Sequence, residues 1–311
     1  MNVERSAPWV RRLKFRHLEM LMMLGRTGSF GKAAELCGLS QPALSKWVKD
    51  LESTLGVTLF ERSTRRVVLT DCGQLVMYHA ERVLTDMTRL QGQLEAQRSG
   101  EAGRLQIGVL AALGPVLMPG ILARIQRDGF SLELELLEGT MDHLLPLLSE
   151  RKLDLVIGRL TTINYEESLS RRLLYEDTLC VAGTTSHPLA RRGKPVSWQD
   201  ACAYPWIMPP AESPIRGMFE NTLAQEGLPR PRIVLESASV LTNYHVARRL
   251  DCLFATSEKV IHLFAEQGLL QQIPLFFASV PATIGMLWSD TPSPLLERFM
   301  VLLEEEVQKA M

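Results

Sequence analysis

The 311-residue chain contains no apolar run approaching the roughly 20 residues that a membrane-crossing helix needs, which excludes a helical integral membrane protein. Its five cysteines (Cys37, Cys72, Cys180, Cys202, Cys252) are odd in number and scattered, with no Cys-x-x-Cys pair. That argues against a disulfide scaffold and a thiolate metal site, and reduced thiols are expected. A redox pair of Cys180 with Cys202 is the alternative. The six histidines are dispersed, and no His-Glu-x-x-His, Gly-x-Ser-x-Gly, P-loop or Gly-x-Gly-x-x-Gly pattern occurs. One Ser-x-x-Lys, Ser29-Phe30-Gly31-Lys32, has no companion motif. No catalytic residue, metal ligand or cofactor is therefore assigned, and the chain is not read as an enzyme. The basic N-terminal stretch (Arg5, Arg11, Arg12, Lys14) has no apolar core behind it, so it does not read as a signal peptide. A cytoplasmic location is expected.

What is present is unevenly distributed. The net charge of −1 conceals a basic head: residues 1–70 hold 12 Lys and Arg against 6 Asp and Glu, and the remainder holds 22 against 29. A basic head on an acidic body suits a nucleic-acid binder, whose head meets phosphate. Basic heads also bind membranes or acidic partners, so charge alone does not decide.

Apolar spacing predicts a helix over 14–25, then a second short helix from Phe30 to Leu36 behind a Ser29 cap. Cys37-Gly38-Leu39 forms a turn. A third helix follows, with Ser40 as N-cap, Pro42 tolerated in the first turn, Leu44, Val48, Leu51 and Leu55 facing inward, and Gly56 as terminator. Leu59–Arg62 and Arg65–Leu69 read as a hairpin with Arg62, Arg65 and Arg66 near its tip, completing a winged helix-turn-helix. Residues 71–98 lack proline, and Val76, Ala80, Val83, Met87, Leu90 and Leu94 recur at steps of 4, 3, 4, 3 and 4. A seam this thin on a long polar helix fits pairing with a second copy. The alternative is an amphipathic helix lying on its own domain. Beyond Ser99–Gly103, strands alternate with helices, which predicts an α/β region with a largely parallel sheet, long enough for two lobes.

The run over residues 15–73 is similar to the LysR-type family of bacterial transcriptional regulators. The matching positions are Leu18, Gly28-Ser29-Phe30, Ala33-Ala34, Leu36, Leu39–Ser45, Leu51-Glu52, Leu55-Gly56, Leu59-Phe60, Arg62, Arg65, Leu69-Thr70 and Gly73. Ile107-Gly108, Glu138-Gly139-Thr140, Asp154–Gly158 and His187-Pro188-Leu189 fit the same family more loosely. Where family members often carry a glycine-rich turn, this chain has Arg248-Arg249-Leu250-Asp251-Cys252. The resemblance implies an α/β protein with a winged head over 1–70, a linker and dimerisation helix over 71–99, and an effector domain over 100–311. That domain would resemble periplasmic binding proteins, with lobe I over about 104–177 and 282–311 and lobe II over about 178–281.

Candidate site residues follow. Gln41 can bond adenine in a bidentate way, Pro42 can touch a thymine methyl, and Ser45, Lys46 and Lys49 share the exposed start of the third helix. Ser40 reads first as a cap. Ser29 and Lys32 lie where the second helix would meet DNA backbone. Arg65 could enter a minor groove, Arg66 beside it is a further DNA-binding candidate of the wing, and Arg62 could instead pair with a carboxylate. By resemblance, an effector cleft would be lined by Ala112, Leu113, Thr140 and Arg159, and Ser239 could face it from the second lobe, although Ser239 reads first as a helix cap. Arg159 beside a helix N-terminus would suit a carboxylate, unless it pairs with a structural acid. The implied partners are double-stranded DNA, a small-molecule effector, a second or fourth copy of the chain and RNA polymerase, with no membrane. The rival reading is a solute-binding or enzymatic α/β protein with a fused nucleic-acid-binding head.

Overall fold

Serine caps start the second and third helices where the sequence places them. The computed structural model describes residues 13–62, 67–99, 103–160, 169–192, 194–211, 213–275, 282–289 and 291–310. In it, α1 spans Phe15–Thr27, α2 Phe30–Leu36 and α3 Gln41–Leu55. The Ser29 hydroxyl accepts the Lys32 N–H at 3.4 Å, and the Ser40 hydroxyl accepts the Ala43 N–H at 3.3 Å. Each satisfies one of the backbone donors that a helix start leaves without an intrahelical partner. Leu44, Val48 and Leu51 then fall on the buried stripe of α3, against Leu21 and Leu24 of α1 and Ala33 and Ala34 of α2.

The chain divides into two compact units, 1–98 and 99–311. The first is completed by an antiparallel hairpin, β1 (Phe60–Arg62) with β2 (Val67–Leu69), and by α4 (Asp71–Ser99). Glu52 ties this wing to α3: its Oε1 accepts the Leu59 N–H at 2.7 Å and the Phe60 N–H at 3.1 Å. Thr70 caps α4 through Gly73 N–H at 2.9 Å and donates its hydroxyl to the Thr58 carbonyl at 2.6 Å. Gly73 is needed there because any Cβ would collide with the Leu59 carbonyl oxygen. At its N-terminal end α4 packs on α1, with Ala80 buried among Leu18 and Met22 and an Arg26–Glu81 ion pair at 3.4 Å.

The second unit holds two five-stranded sheets. One has the order β4-β3-β5-β12-β6, built from β3 (Gly103–Leu110), β4 (Leu132–Gly139), β5 (Leu155–Arg159), β6 (Leu169–Asp177) and β12 (Ala282–Ser289). It is covered on one face by α5 (Gly114–Arg127) and α11 (Pro294–Ala310), and on the other by α6 (Met141–Ser149). The other sheet has the order β11-β7-β10-β8-β9, from β7 (Leu179–Thr184), β8 (Trp206–Met208), β9 (Ile233–Glu236), β10 (Leu253–Ser257) and β11 (Leu270–Ile273). Its helices are α7 (Trp198–Cys202), α8 (Pro214–Gln225), α9 (Val240–Leu250) and α10 (Glu258–Glu266).

Three details differ from the sequence reading. Both sheets are mixed rather than largely parallel. Strands β3, β4 and β5 run parallel, but β12 returns antiparallel to both β5 and β6 after the excursion through the second lobe. The elements β6, α7, β8, α10 and β11 were not foreseen. Helix α10 follows β10 with no turn residue between them, so Ser257 ends the strand and stands at the N-cap position, its side chain making no cap hydrogen bond. Finally, a Cys180–Cys202 pair is ruled out by the pleat. Leu179 and Val181 face the cluster that holds Cys202, and Cys180 and Ala182 face the opposite one. Burial pushes the Cys180 thiol up to about 11, so it is an inert protonated thiol.

The Arg248–Cys252 segment does the work of a glycine turn with Asp251, which adopts φ +47 and ψ 48. Its carbonyl oxygen accepts a hydrogen bond from Nε2 of the fully buried His187 at 3.1 Å, while His187 Nδ1 accepts the Leu189 N–H at 3.1 Å. Replacement by a β-branched residue should therefore be costly. Asp251→Val is expected to lose about 1–2 kcal/mol in urea unfolding, and Asp251→Gly to lose none. In the first unit, Glu52→Ala leaves two N–H donors of the wing without their charged acceptor. It should destabilise that unit by roughly 2 kcal/mol, read as a lowered melting temperature.

Candidate nucleic-acid interface and ligand cleft

The cap at Ser40 fixes the phase of α3 and so decides which side chains reach solvent. Gln41, Pro42, Lys46 and Lys49 are exposed, and Ser45 is half-buried. Pro42, Lys46 and Lys49 point away from the Leu44–Val48–Leu51 stripe, which is locked into the core, whereas Gln41, three residues before Leu44, is exposed because it sits at the open first turn. Gln41 leans over α2, its Oε1 only 3.6 Å from where a Cβ on Gly31 would sit. Lys32 is exposed on α2, and Ser29 is half-buried with its hydroxyl used as the cap. Arg65 and Arg66 lie outside the described residues, and so does the side chain of Arg62. The β2 strand is held to the helices by the Val67 N–H, which donates to the Gly28 carbonyl at 3.0 Å. Trp47 and His17 pack at 5.1 Å behind α3, and burial together with Lys14 and Arg16 holds His17 below the usual imidazole range.

The α4 seam splits in two. Ala80 is buried and Val76 half-buried, packed on the unit's own core, and both also line the floor of an open groove. Val83, Met87, Leu90 and Leu94 remain on the surface, each more than 40% exposed. An open apolar groove of about 600 Å³ adjoins them, lined by Phe15, Leu18, Val57, Leu75 and His79 with Val83 at its edge.

In the second unit, the candidate residues Ala112, Thr140 and Arg159 stand at the carboxyl ends of β3, β4 and β5. Thr140 stands at the N-cap of α6, but its side chain makes no cap hydrogen bond, which leaves the hydroxyl for another partner. Ala112 packs against the second lobe's Val240–Phe264 cluster. Ser239 caps α9 through the Thr242 N–H at 3.3 Å, and the Ser237 hydroxyl accepts the Ser239 N–H at 3.1 Å.

Two expected cleft residues are placed elsewhere. Leu113 is 1% exposed and belongs to the first lobe's core, because it closes the turn into α5 from inside. Arg159 is buried and does not join Thr140. Gly158 faces Met141 of α6, so by strand alternation Arg159 faces the opposite side, in register with Ile284 and Tyr175. Desolvation lowers its pKa, offset by the nearby Asp177 and Tyr175. Asp177 in turn accepts the Ser257 hydroxyl at 2.9 Å. Arg159 thus faces a structural acid, the alternative that the sequence left open. Burial also holds the Asp177 carboxyl above the usual range, against the pull of Ser257, Arg159 and Lys259.

Two residues with clear roles were missed by sequence reasoning. Glu52 was noted only as part of the resemblance, although an acid at the end of α3, just before the first wing strand, is the signal for such a tie. Asn243 lies on the inward face of α9 with Val240, Tyr244 and Ala247, and its Oδ1 is buried without a hydrogen-bond partner among the described residues. A lone amide in an apolar stripe was its signal.

Comparison with known proteins accounts for both units of the chain. Residues 15–74 match the family model described as bacterial regulatory helix-turn-helix protein, lysR family, and residues 98–308 match the LysR substrate binding domain. The chain is 30% identical over 277 residues to the HTH-type transcriptional regulator GbpR of Azospirillum brasilense, covering 89% of this chain and 81% of that protein. It is 27% identical over 296 residues to the HTH-type transcriptional regulator PcaQ of Agrobacterium fabrum, covering 94% and 95%. Among solved structures, full-length CbnR complexed with its target DNA shares the fold at a TM-score of 0.62 and 18% identity, covering 96% and 100%. Both halves of the chain, matched in one order and over nearly its full length, make it a member of the LysR family of bacterial transcriptional regulators.

Proposed function

We propose that the chain regulates transcription by placing α3 in a DNA major groove and by changing its DNA contacts when a small molecule binds between the two lobes of the second unit. The observation that carries the DNA half is the division of α3: one stripe buried from Leu44 to Leu51, with Gln41 at the open first turn and Pro42, Lys46 and Lys49 on the outer face presented to solvent. Gln41 and Ser45 read base edges, Pro42 meets a thymine methyl, and Lys46 and Lys49 hold phosphates. Ser29 and Lys32 meet the backbone, Ser40 orients the helix, and Arg62, Arg65 and Arg66 serve the wing. A symmetric oligomer places two such heads on an inverted repeat. We assign its contact to Val83, Met87, Leu90 and Leu94 together with the adjoining apolar groove, with Val76 and Ala80 in a supporting role.

The effector half rests on the Thr140 hydroxyl at the α6 N-terminus, on Ser239 at the α9 N-terminus and on Ala112 between them in the lobe contact. A carboxylate effector remains compatible with two helix N-termini, whose backbone donors favour anions. Arg159 contributes by supporting the cleft through Asp177. The chain transduces a signal in the cytoplasm rather than catalysing a reaction. No helix among the described residues is long and apolar enough to cross a membrane.

Fluorescence anisotropy with a selected operator and a scrambled duplex tests this reading. Gln41→Ala should reduce the preference for the operator by roughly ten-fold, the cost of one bidentate base contact. Lys49→Ala should weaken both duplexes alike and lower the salt slope by about one unit. Equal wild-type affinity for both duplexes would refute the reading role of α3. In sedimentation, the double variant Leu90→Glu/Leu94→Glu should convert the oligomer to a folded monomer, and persistence of the oligomer would remove the seam from the interface.

A further inference from the structure

A cavity of about 400 Å³ lies on the second unit where the two lobes meet, separate from Thr140 and Ser239. Val116 and Leu117 of α5, Tyr175 of β6 and Val307 of α11 line it from the first lobe. Lys259, His262, Leu263 and Glu266 of α10 line it from the second. Its size is that of an ordinary small-molecule site.

Three observations give it chemistry. Tyr175 is 97% buried, yet its hydroxyl has no hydrogen-bond partner among the described residues. Burial with Asp177 nearby holds that hydroxyl protonated, so it can only serve as a neutral donor or acceptor. The Lys259 ammonium stands over the Tyr175 ring, 5.0 Å from its centroid. Lys259 also feels Asp177, but that carboxylate already accepts the Ser257 hydroxyl and faces Arg159, so Lys259 is not needed to neutralise it. Val116, Leu117, Leu263 and Val307 form the apolar wall, and His262, which faces Glu258 on its own helix at 3.9 Å, and Glu266 are the other polar lining residues. Glu266 lies seven residues along α10 from Lys259, about 10 Å by helix rise, so the cavity is positive at one end and negative at the other.

We propose that this cavity is a second ligand site for an amphiphilic carboxylate. The carboxylate accepts the Tyr175 hydroxyl and pairs with Lys259, and the apolar body lies against Val116, Leu117, Leu263 and Val307. Glu266 sets the direction, because it repels an anion placed at its end. An occupant touches α5 and α10 at once and so binds the two lobes to each other. Its affinity is therefore coupled to their arrangement, and by reciprocity to any ligand of the main cleft that alters it. The site stands independently of the DNA-reading assignment.

Isothermal titration of the full-length protein with octanoate, octanol and octylamine tests the proposal. Octanoate should bind at one site per chain, octanol more weakly, and octylamine not at all. Lys259→Met should weaken octanoate by roughly ten-fold or more, the worth of a charge-assisted contact, with Lys259→Arg restoring most of the affinity. Tyr175→Phe should weaken it several-fold, and Leu263→Trp should block it. Thr140→Val and Ser239→Ala should leave it within two-fold. Lys259 is only half-buried and its replacement does not threaten the fold, so the Lys259 series decides the question even where Leu263→Trp or Tyr175→Phe fails to fold. No octanoate binding, octylamine binding as tightly as octanoate, or binding that survives Lys259→Met and falls with the cleft variants would each overturn the proposal.

Discussion

A helix that must begin at a fixed residue fixes the direction of every side chain after it. Here the constraint is met by one hydrogen bond, from the Ala43 N–H to the Ser40 hydroxyl. Slipping that start by one residue would rotate α3 by about 100° and carry Leu44 and Val48 out of the core. The buried stripe and the exposed stripe are thus two readings of one phase. The wing depends on the same helix, because Glu52 near its end receives the first two N–H groups of the hairpin. A core contact, a cap and a carboxylate together hold three elements in one arrangement, and a surface suited to reading bases needs that rigidity.

The N-terminal unit was legible because its signals are local. Ser29, Ser40, Gly38 and Gly56 mark helix ends within a residue or two, and the 3-and-4 spacing of Leu44, Val48 and Leu51 names the buried face. The second unit was legible in its element order but not in its pairing. Nothing local to Thr283–Trp288 says that this strand returns antiparallel between β5 and β6. That arrangement arises from sequence separated by more than a hundred residues. Edge strand β6 was missed because it exposes Arg171 and Leu173 and so lacks an alternating pattern. The candidate cleft was misjudged for a related reason. Arg159 follows Gly158 in sequence, but a strand sends neighbours to opposite faces, and only the packing of Met141 on Gly158 reveals which face is which.

The buried polar groups of the second unit gather near the point where the chain passes between its lobes. Arg159, Tyr175 and Asp177 come from one lobe and Ser257 from the other, and the Glu258 N–H donates to the Thr178 carbonyl at 2.9 Å beside them. Charged groups withdrawn from water tolerate few geometries, so such a cluster favours discrete lobe arrangements over a continuum. An apolar hinge of the same size would be more stable to bending in every direction and less able to report which way it had bent.

The split seam of α4 has a mechanical meaning. Its first turns, as far as Leu84, pack on the head's core, and Val83, Met87, Leu90 and Leu94 stay exposed. From Val83 to Ser99 the helix extends for about 24 Å at the standard rise. A rod clamped at one end by buried side chains cannot spin freely within its socket. Any rotation of that stalk would therefore have to carry α1 with it, and through the shared core α3, as a drive shaft would and a tether would not.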